Sequence, residues 1–155
     1  MKKFLTAILS VVFLVGNLTA CAAETATSED ITIILQIDNP VMTVKGTEKP
    51  IDAEGTAPVV VNDRTLLPVR AVVEEMGGAV HWDGETQTVL LAYKDDIITL
   101  GINNPTAFLN DKKNTLDSVP AIINNRTMLP IRFIAESFGY TVDWNGAEQK
   151  VIISK

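Results

Sequence analysis

The chain has 155 residues, of which 46% are hydrophobic and 21% are charged, and its formal net charge is −6. Residues 1–20 hold two lysines and no acid, so removing them changes the balance from 13 − 19 = −6 to 11 − 19 = −8. This acidic balance disfavours nucleic acid as a partner, and anionic lipid bound through a basic patch, because phosphate contacts need clustered lysine and arginine.

The N-terminus has the three-part pattern of a secretory signal. Two lysines precede an apolar stretch, residues 4–15, that is interrupted only by Thr6 and Ser10. The stretch is shorter than the roughly 20 apolar residues that cross a bilayer, and no cluster of positive charge follows it. We therefore predict a signal peptide over residues 1–20 and no membrane span in the finished protein.

The single cysteine of the chain, Cys21, follows Leu18-Thr19-Ala20. This string resembles the bacterial lipobox, in which the thiol is diacylated and the signal is cut immediately before it. The alternative is an ordinary signal peptide with a leftover thiol, which is unusual in an exported chain because a lone cysteine forms no internal disulfide. Two acyl chains give stable anchoring. We expect a lipoprotein on the outer face of the cytoplasmic membrane, with residues 21–30 as lipidated cysteine and flexible tether.

Strand-like runs follow the tether. Residues 31–37 end at Asn39-Pro40, and residues 41–44 would return as the second arm of a hairpin. A third strand is predicted at residues 59–61. It should end in a turn at Asn62-Asp63, because Asn and Asp tolerate positive φ.

A short helix is predicted next. Pro68 lies where its first turn would start, a position that tolerates the missing N–H. Gly77 would supply the left-handed residue that ends it. Apolar residues at i, i+3, i+4 and i+7 predict its buried face: Val69, Val72, Val73 and Met76.

A last hairpin completes the pattern. Val80 and Trp82 are two residues apart and share one face of a strand, so we expect the tryptophan to lie against the helix. The alternative is an exposed indole that serves as a platform for sugar rings. Asp83-Gly84 is a strong signal for a tight hairpin, and residues 89–93 would form the returning strand.

The whole pattern then occurs again, 62 positions later. Residues 58–92 and 120–154 align without a gap and are identical at 14 of 35 positions. We predict repeat 1 at 31–93 and repeat 2 at 97–155, closely coupled because only residues 94–96 separate them. The fold class is α+β, with each repeat a small antiparallel sheet of about five strands wrapped around one short helix. The structural residues of repeat 2 are the counterparts Pro130, Gly139 and Trp144.

The string Asn-Asp-Arg-Thr-Leu-Leu-Pro-Val-Arg, the short helix ending in Gly and the Val-x-Trp-Asp/Asn-Gly hairpin together resemble the copper amine oxidase N-terminal domain-like family. The resemblance occurs in two copies, which together cover nearly all of the predicted mature chain. It implies a five-stranded antiparallel sheet around a helix, and in the enzymes that named the family this domain is a stalk apart from the active site. Similar chains of Gram-positive bacteria carry the domain alone or beside wall-directed modules.

The resemblance does not imply oxidase activity. Copper amine oxidases use three histidine ligands and a tyrosine processed into a quinone, whereas His81 is the only histidine here, and neither Tyr93 nor Tyr140 lies in an Asn-Tyr-Asp/Glu setting. One histidine cannot build a transition-metal site of the usual ligand count or a credible catalytic triad. We therefore predict no catalytic residue, no metal site and no cofactor.

Four arginines are the candidate binding residues because they recur in both repeats: Arg64, Arg70, Arg126 and Arg132. Two of them, Arg70 and Arg132, fall in the first helical turn, where the macrodipole disfavours cations. One interpretation is structural: pairing with Glu74 or Glu136 one turn on, or stacking over a tryptophan. The other is a pair of equivalent sites for an anion of a wall polymer or a peptide carboxylate.

Three hypotheses for function follow. The first is a non-enzymatic surface binding or scaffold module that contacts wall polymer or an envelope protein through sheet faces or the repeat junction. The second is an accessory or inhibitor subunit of a secreted hydrolase. The third is a weak glycan-acting enzyme, for which Glu74 and Glu136 are the repeated acids, although such an enzyme needs two carboxyls in one cleft. The sequence leaves the oligomeric state open.

Overall fold

The structure is a computed structural model that describes residues 30–155. The predicted signal peptide, Cys21 and all of the tether except Asp30 lie outside the described residues. Within the described part of the chain, no helix is long and apolar enough to cross a membrane.

Each repeat contains seven strands and one helix. The elements of repeat 1 are β1 (Thr32–Gln36), β2 (Val41–Val44), β3 (Thr47–Pro50), β4 (Val59–Val61), β5 (Arg64–Pro68), α1 (Val69–Glu75), β6 (Ala79–Asp83) and β7 (Thr88–Tyr93). Those of repeat 2 are β8 (Asp96–Gly101), β9 (Thr106–Leu109), β10 (Lys112–Thr115), β11 (Ala121–Ile123), β12 (Arg126–Pro130), α2 (Ile131–Ser137), β13 (Thr141–Asn145) and β14 (Lys150–Ser154).

The strands form three antiparallel sheets, and every sheet takes strands from both repeats. The terminal sheet has the order β13-β14-β1-β2-β3, the middle sheet β10-β9-β8-β7-β6, and the four-stranded shared sheet β11-β12-β5-β4. The fold is thus mostly antiparallel sheet with two short helices, as the α+β class predicts. The expectation that each repeat builds its own five-stranded sheet is wrong at the level of strand pairing.

The link between the repeats explains this exchange of strands. Lys94 has a positive φ of 52° in the short connection from β7 to β8, and these strands pair in register from Thr88↔Gly101 to Tyr93↔Asp96. The last strand of repeat 1 therefore forms a hairpin with the first strand of repeat 2. At the other end of the fold, β1 takes the equivalent place beside β14.

Two strands of each repeat were not predicted. β3 and β10 are largely exposed and polar, so they lack an apolar alternation. β5 and β12 lie where the sequence predicts only a turn and the start of a helix. Pro68 and Pro130 end these strands and stand at the N-cap position, so each helix begins one residue after its proline.

The helices confirm the predicted pattern of burial and termination. The apolar stripe of the second helix, at the positions equivalent to those of the first, is Ile131, Ile134, Ala135 and Phe138. All eight residues of the two stripes are buried, and they belong to one hydrophobic core built from both repeats. Gly77 has φ of 84° and Gly139 has φ of 77°. The Gly78 N–H donates to the carbonyl of Val73 at 2.8 Å, as in a Schellman motif.

The turns give a mixed outcome. Asn62 and Asp63 both have positive φ, as predicted. The expectation of a tight hairpin at Asp83-Gly84 is wrong, because the loop covers residues 84–87 and the positive φ is at Gln87. Asp83 Oδ1 accepts the Glu85 N–H at 2.9 Å, so the aspartate side chain organises this longer loop.

Two equivalent grooves as the candidate functional site

The tryptophans of the two hairpins differ in burial. Trp82 is half-buried and packs against the core, whereas Trp144 is 46% exposed. The expectation that both indoles lie buried against the helices is therefore wrong for Trp144. The two helices have the same length, as do the two tryptophan strands, so helix length does not account for this difference. Five residues of segment 49–54 share a concave surface with Trp82, whereas Asp117 alone of the corresponding segment in repeat 2 shares one with Trp144.

Each tryptophan lines a groove at the junction of the repeats. Groove 1 has a volume of about 830 Å³ and contains Trp82, while groove 2 has a volume of about 490 Å³ and contains Trp144. Repeat 1 supplies one wall of groove 1 with Pro68, Val69, Arg70, Val80, Trp82 and Val89, and repeat 2 supplies the other with Ile122, Asn125, Arg126 and Thr127.

Groove 2 repeats this arrangement with the repeats exchanged. Ten of its twelve lining residues lie 62 positions from a lining residue of groove 1. Those ten are Val60, Asp63, Arg64, Thr65, Pro130, Ile131, Arg132, Val142, Trp144 and Val151. The two sites therefore share ten equivalent positions, since each joins the helix and tryptophan hairpin of one repeat to the β4-β5 type hairpin of the other. Groove 1 is larger and is lined by nine further residues of repeat 1.

Each groove contains two of the four candidate arginines, and the sequence did not predict which two lie together. Arg70 lies with Arg126 in groove 1, and Arg132 lies with Arg64 in groove 2. Each pair combines a helix residue of one repeat with a hairpin residue of the other, and so depends on how the repeats meet.

The helix arginines join the helix to the tryptophan strand. Arg132 Nη1 lies 3.3 Å from Glu136 Oε1 and donates to the carbonyl of Val142 at 3.0 Å. Arg70 makes the same two contacts, at 3.5 Å to Glu74 and 3.2 Å to the carbonyl of Val80. The pairing one turn on is the structural arrangement that the spacing suggested, and the carbonyl contact positions the strand that carries the tryptophan.

The hairpin arginines pair with acids far away in sequence. Arg126 bonds Asp52 at 3.3 Å and also pairs with Glu54, and Arg64 bonds Asp117 at 2.6 Å. Burial raises the pKa of Asp52, but hydrogen bonds from Thr56, Arg126 and the Glu54 N–H outweigh burial and leave the pKa lowered. The hydrogen bond to Glu54 in turn raises the pKa of Arg126.

Sequence reasoning missed these acidic partners, which lie 74 positions from Arg126 and 53 from Arg64. The signal that could have found Asp52 and Asp117 is their equal spacing of twelve residues from Pro40 and Pro105. The segment from Pro40 to Pro58 is three residues longer than its counterpart in repeat 2 and contains Glu54, so groove 1 has one more acid paired with its hairpin arginine.

Both grooves carry a slight negative charge. Groove 1 is lined by three cations and four acids, giving 3 − 4 = −1, and groove 2 by two cations and three acids, giving 2 − 3 = −1. Lys49 and Glu75 of groove 1 form a further ion pair. The cations of the grooves are thus already matched by carboxylates of the chain.

The residues considered for catalysis are not brought together. Glu74 lines groove 1, whereas Glu136 lines neither groove. His81 is exposed on the strand that carries Trp82 and lines neither groove. Across residues 30–155, no three or more His, Cys, Asp or Glu side chains are grouped so that they could hold a metal ion.

A separate cluster holds the C-terminal residue. Lys155 Nζ donates to the Tyr93 hydroxyl at 3.3 Å and to the carbonyl of Phe138 at 3.2 Å, and it lies over the Tyr93 and Tyr140 rings. Burial raises the pKa of Tyr140, whose hydroxyl donates to the carbonyl of Met76 at 3.3 Å. These contacts join the two helix ends to the terminal strand.

The chain belongs to the copper amine oxidase N-terminal domain family, which it matches over residues 53–153. This single match contains both helices, all four strands of the shared sheet and both tryptophans. In copper amine oxidase this domain is non-catalytic. No curated protein matches the chain.

Proposed function

We propose that this protein is a non-catalytic lipoprotein of the cell envelope that binds wall material through its two grooves. In this proposal Cys21 carries the lipid, and the tether holds the folded part away from the membrane surface. Residues 31–155 form two tandem copies of the family's module. The acidic balance of the chain agrees with a partner other than nucleic acid.

The observation that carries the proposal is the duplication of one groove. Core residues account for the fold, but they do not require an indole and two arginines to line the same concave surface twice. Binding sites are concave, largely apolar, and contain a few convergent polar groups. Both grooves are concave and combine apolar residues with convergent charged groups, and each contains an aromatic side chain with only part of its surface in the core.

The electrostatics favour binding over glycan hydrolysis. A glycosidase needs one carboxyl whose pKa is raised so that it can act as a general acid. Asp52, Glu54 and Asp117 are instead paired with arginines, and the pKa of Asp52 is lowered. Carboxylates paired in this way are suited to accept hydrogen bonds.

A sedimentation assay tests the proposal. Residues 22–155, without the lipid, should co-sediment with isolated cell-wall material, and Trp144→Ala should lose most of this binding while keeping a melting temperature close to the wild type. Phe108→Ala is the matched control, because Phe108 is an aromatic residue 41% exposed on β9 and outside both grooves.

Equal sedimentation of the wild type and both variants would show that the grooves are not the binding site. No sedimentation of the wild type would refute wall binding altogether. Because Trp82 packs against the core, its alanine variant is informative only when thermal unfolding shows that the fold is retained.

A further inference from the structure

The exposed part of Trp144 faces groove 2. Its Nε1 edge lies close to the loop, since a Cβ built on Gly146 would be 3.4 Å from that atom. The indole is therefore supported along one edge by the backbone of its own hairpin. A ring fixed in this way offers a contact surface at little cost in side-chain entropy.

Groove 2 has apolar side chains on both walls, together with an equal number of polar or charged residues. Ile131, Val142 and Val151 line the side of the tryptophan, and Val60, which is 50% exposed, lines the side of the shared sheet. Groove 1 has the same pair of walls, with Ile122 in the place of Val60. Ile131, Val142 and Val151 are themselves buried, so the exposed indole and Val60 provide the apolar surface that one face of a ligand can contact.

Each groove contains arginine–carboxylate pairs: Arg126 with Asp52 and Glu54 and Arg70 with Glu74 in groove 1, and Arg64 with Asp117 in groove 2. A paired arginine keeps some N–H donors, and a paired carboxylate keeps lone pairs, so each pair displays donors and acceptors side by side. A hydroxyl is both a donor and an acceptor and fits such a pair. An anionic group would have to displace a carboxylate and enter a groove whose net charge is −1.

We infer that the grooves bind an uncharged polysaccharide, with one sugar ring against each tryptophan and its hydroxyls on the arginine–carboxylate pairs. This inference rests on the proposed function and names its ligand class. A pyranose ring has the required combination of an apolar C–H face and an equatorial rim of hydroxyls. Two grooves on one chain let a long polymer bind at both, so the loss of one groove weakens polymer binding strongly through lost avidity.

The test is a fluorescence titration of residues 22–155 with two neutral probes, chitohexaose and cellohexaose, and one anionic probe, poly(glycerol phosphate). We expect at least one neutral probe to shift tryptophan emission, with an affinity that stays constant between about 50 and 500 mM salt, because no ion pair with the ligand is formed. Trp144→Ala should weaken binding of that probe at least about tenfold.

Two further variants separate groove chemistry from folding. Asp117→Asn leaves the shape of groove 2 but removes the charge that pairs with Arg64, and it should weaken the neutral probe. Phe108→Ala should leave the affinity unchanged. All variants are compared by thermal unfolding, and Trp144→Phe, which keeps an aromatic face, should recover part of the binding lost in Trp144→Ala.

Binding of poly(glycerol phosphate) that weakens with salt, together with no response to either neutral probe, would overturn the inference. No response to any of the three probes would overturn it as well. In both cases tryptophan-dependent sedimentation with wall material would remain a separate result, so the proposed function can survive the failure of this ligand assignment.

Discussion

Separating the two repeats tests most directly whether each repeat needs the strands of the other in order to fold. A fragment of residues 30–93 keeps all of repeat 1 but removes β14 from beside β1, β8 from beside β7 and β12 from beside β5. Fully buried residues on these strands lose the neighbours that cover them: Ile33, Leu35, Leu67 and Leu91. Exposing one such side chain costs about 1.5–3 kcal/mol, so the four together cost up to roughly 6–12 kcal/mol.

That cost is comparable with the whole stability of a domain, which is typically about 5–15 kcal/mol. We therefore expect the fragment to be unfolded as a monomer, with no cooperative transition in urea followed by circular dichroism. Residues 30–155 should unfold cooperatively under the same conditions. An equimolar mixture of fragments 30–93 and 94–155 should recover the transition, in a manner that depends on protein concentration.

A circular permutant provides the matched control. Joining residue 155 to residue 30 through a short linker and opening the chain within residues 51–57 keeps every strand pair, and it makes both five-stranded sheets continuous in sequence. This permutant should fold. A fragment 30–93 that remained monomeric and unfolded cooperatively would refute the reasoning, because each repeat would then be stable without the strands of the other.

Three further predictions concern single residues. Gly77→Ala should lower the free energy of unfolding by about 1–2 kcal/mol in urea titrations, since φ is 84° and a Cβ there meets nothing within 4 Å, whereas Gly84→Ala should be close to neutral. The hydrogen bonds that lower the pKa of Asp52 stabilise the fold above the ordinary pKa of 3.8, and this stabilisation is lost as pH falls below that value. Asp52→Asn should therefore lower the free energy of unfolding at pH 7, and the difference from the wild type should become smaller when unfolding is measured at progressively lower pH. Metabolic labelling with a fatty-acid analogue should mark the wild type but not Cys21→Ser, and equal labelling of both would contradict lipidation.

The sequence by itself determined the features that depend on neighbouring residues. The apolar stripe of each helix, the left-handed glycine at its end and the Asn62-Asp63 turn follow from side-chain periodicity and from the φ preferences of single residue types. These features are local, so a stretch of about ten residues contains all the information they need. The duplication was also visible, because it is a property of the sequence alone.

Only the tertiary structure decided which surfaces meet. Periodicity shows that Trp144 shares the face of Val142, but whether the indole is covered depends on which other segments of the chain pack beside it. The acidic partner of Arg126 lies 74 positions away, and the strand beside β1 comes from the other end of the described chain. Such contacts are fixed by the packing of whole elements, because the free energy of burying the shared core selects one strand order among several that the local pattern allows.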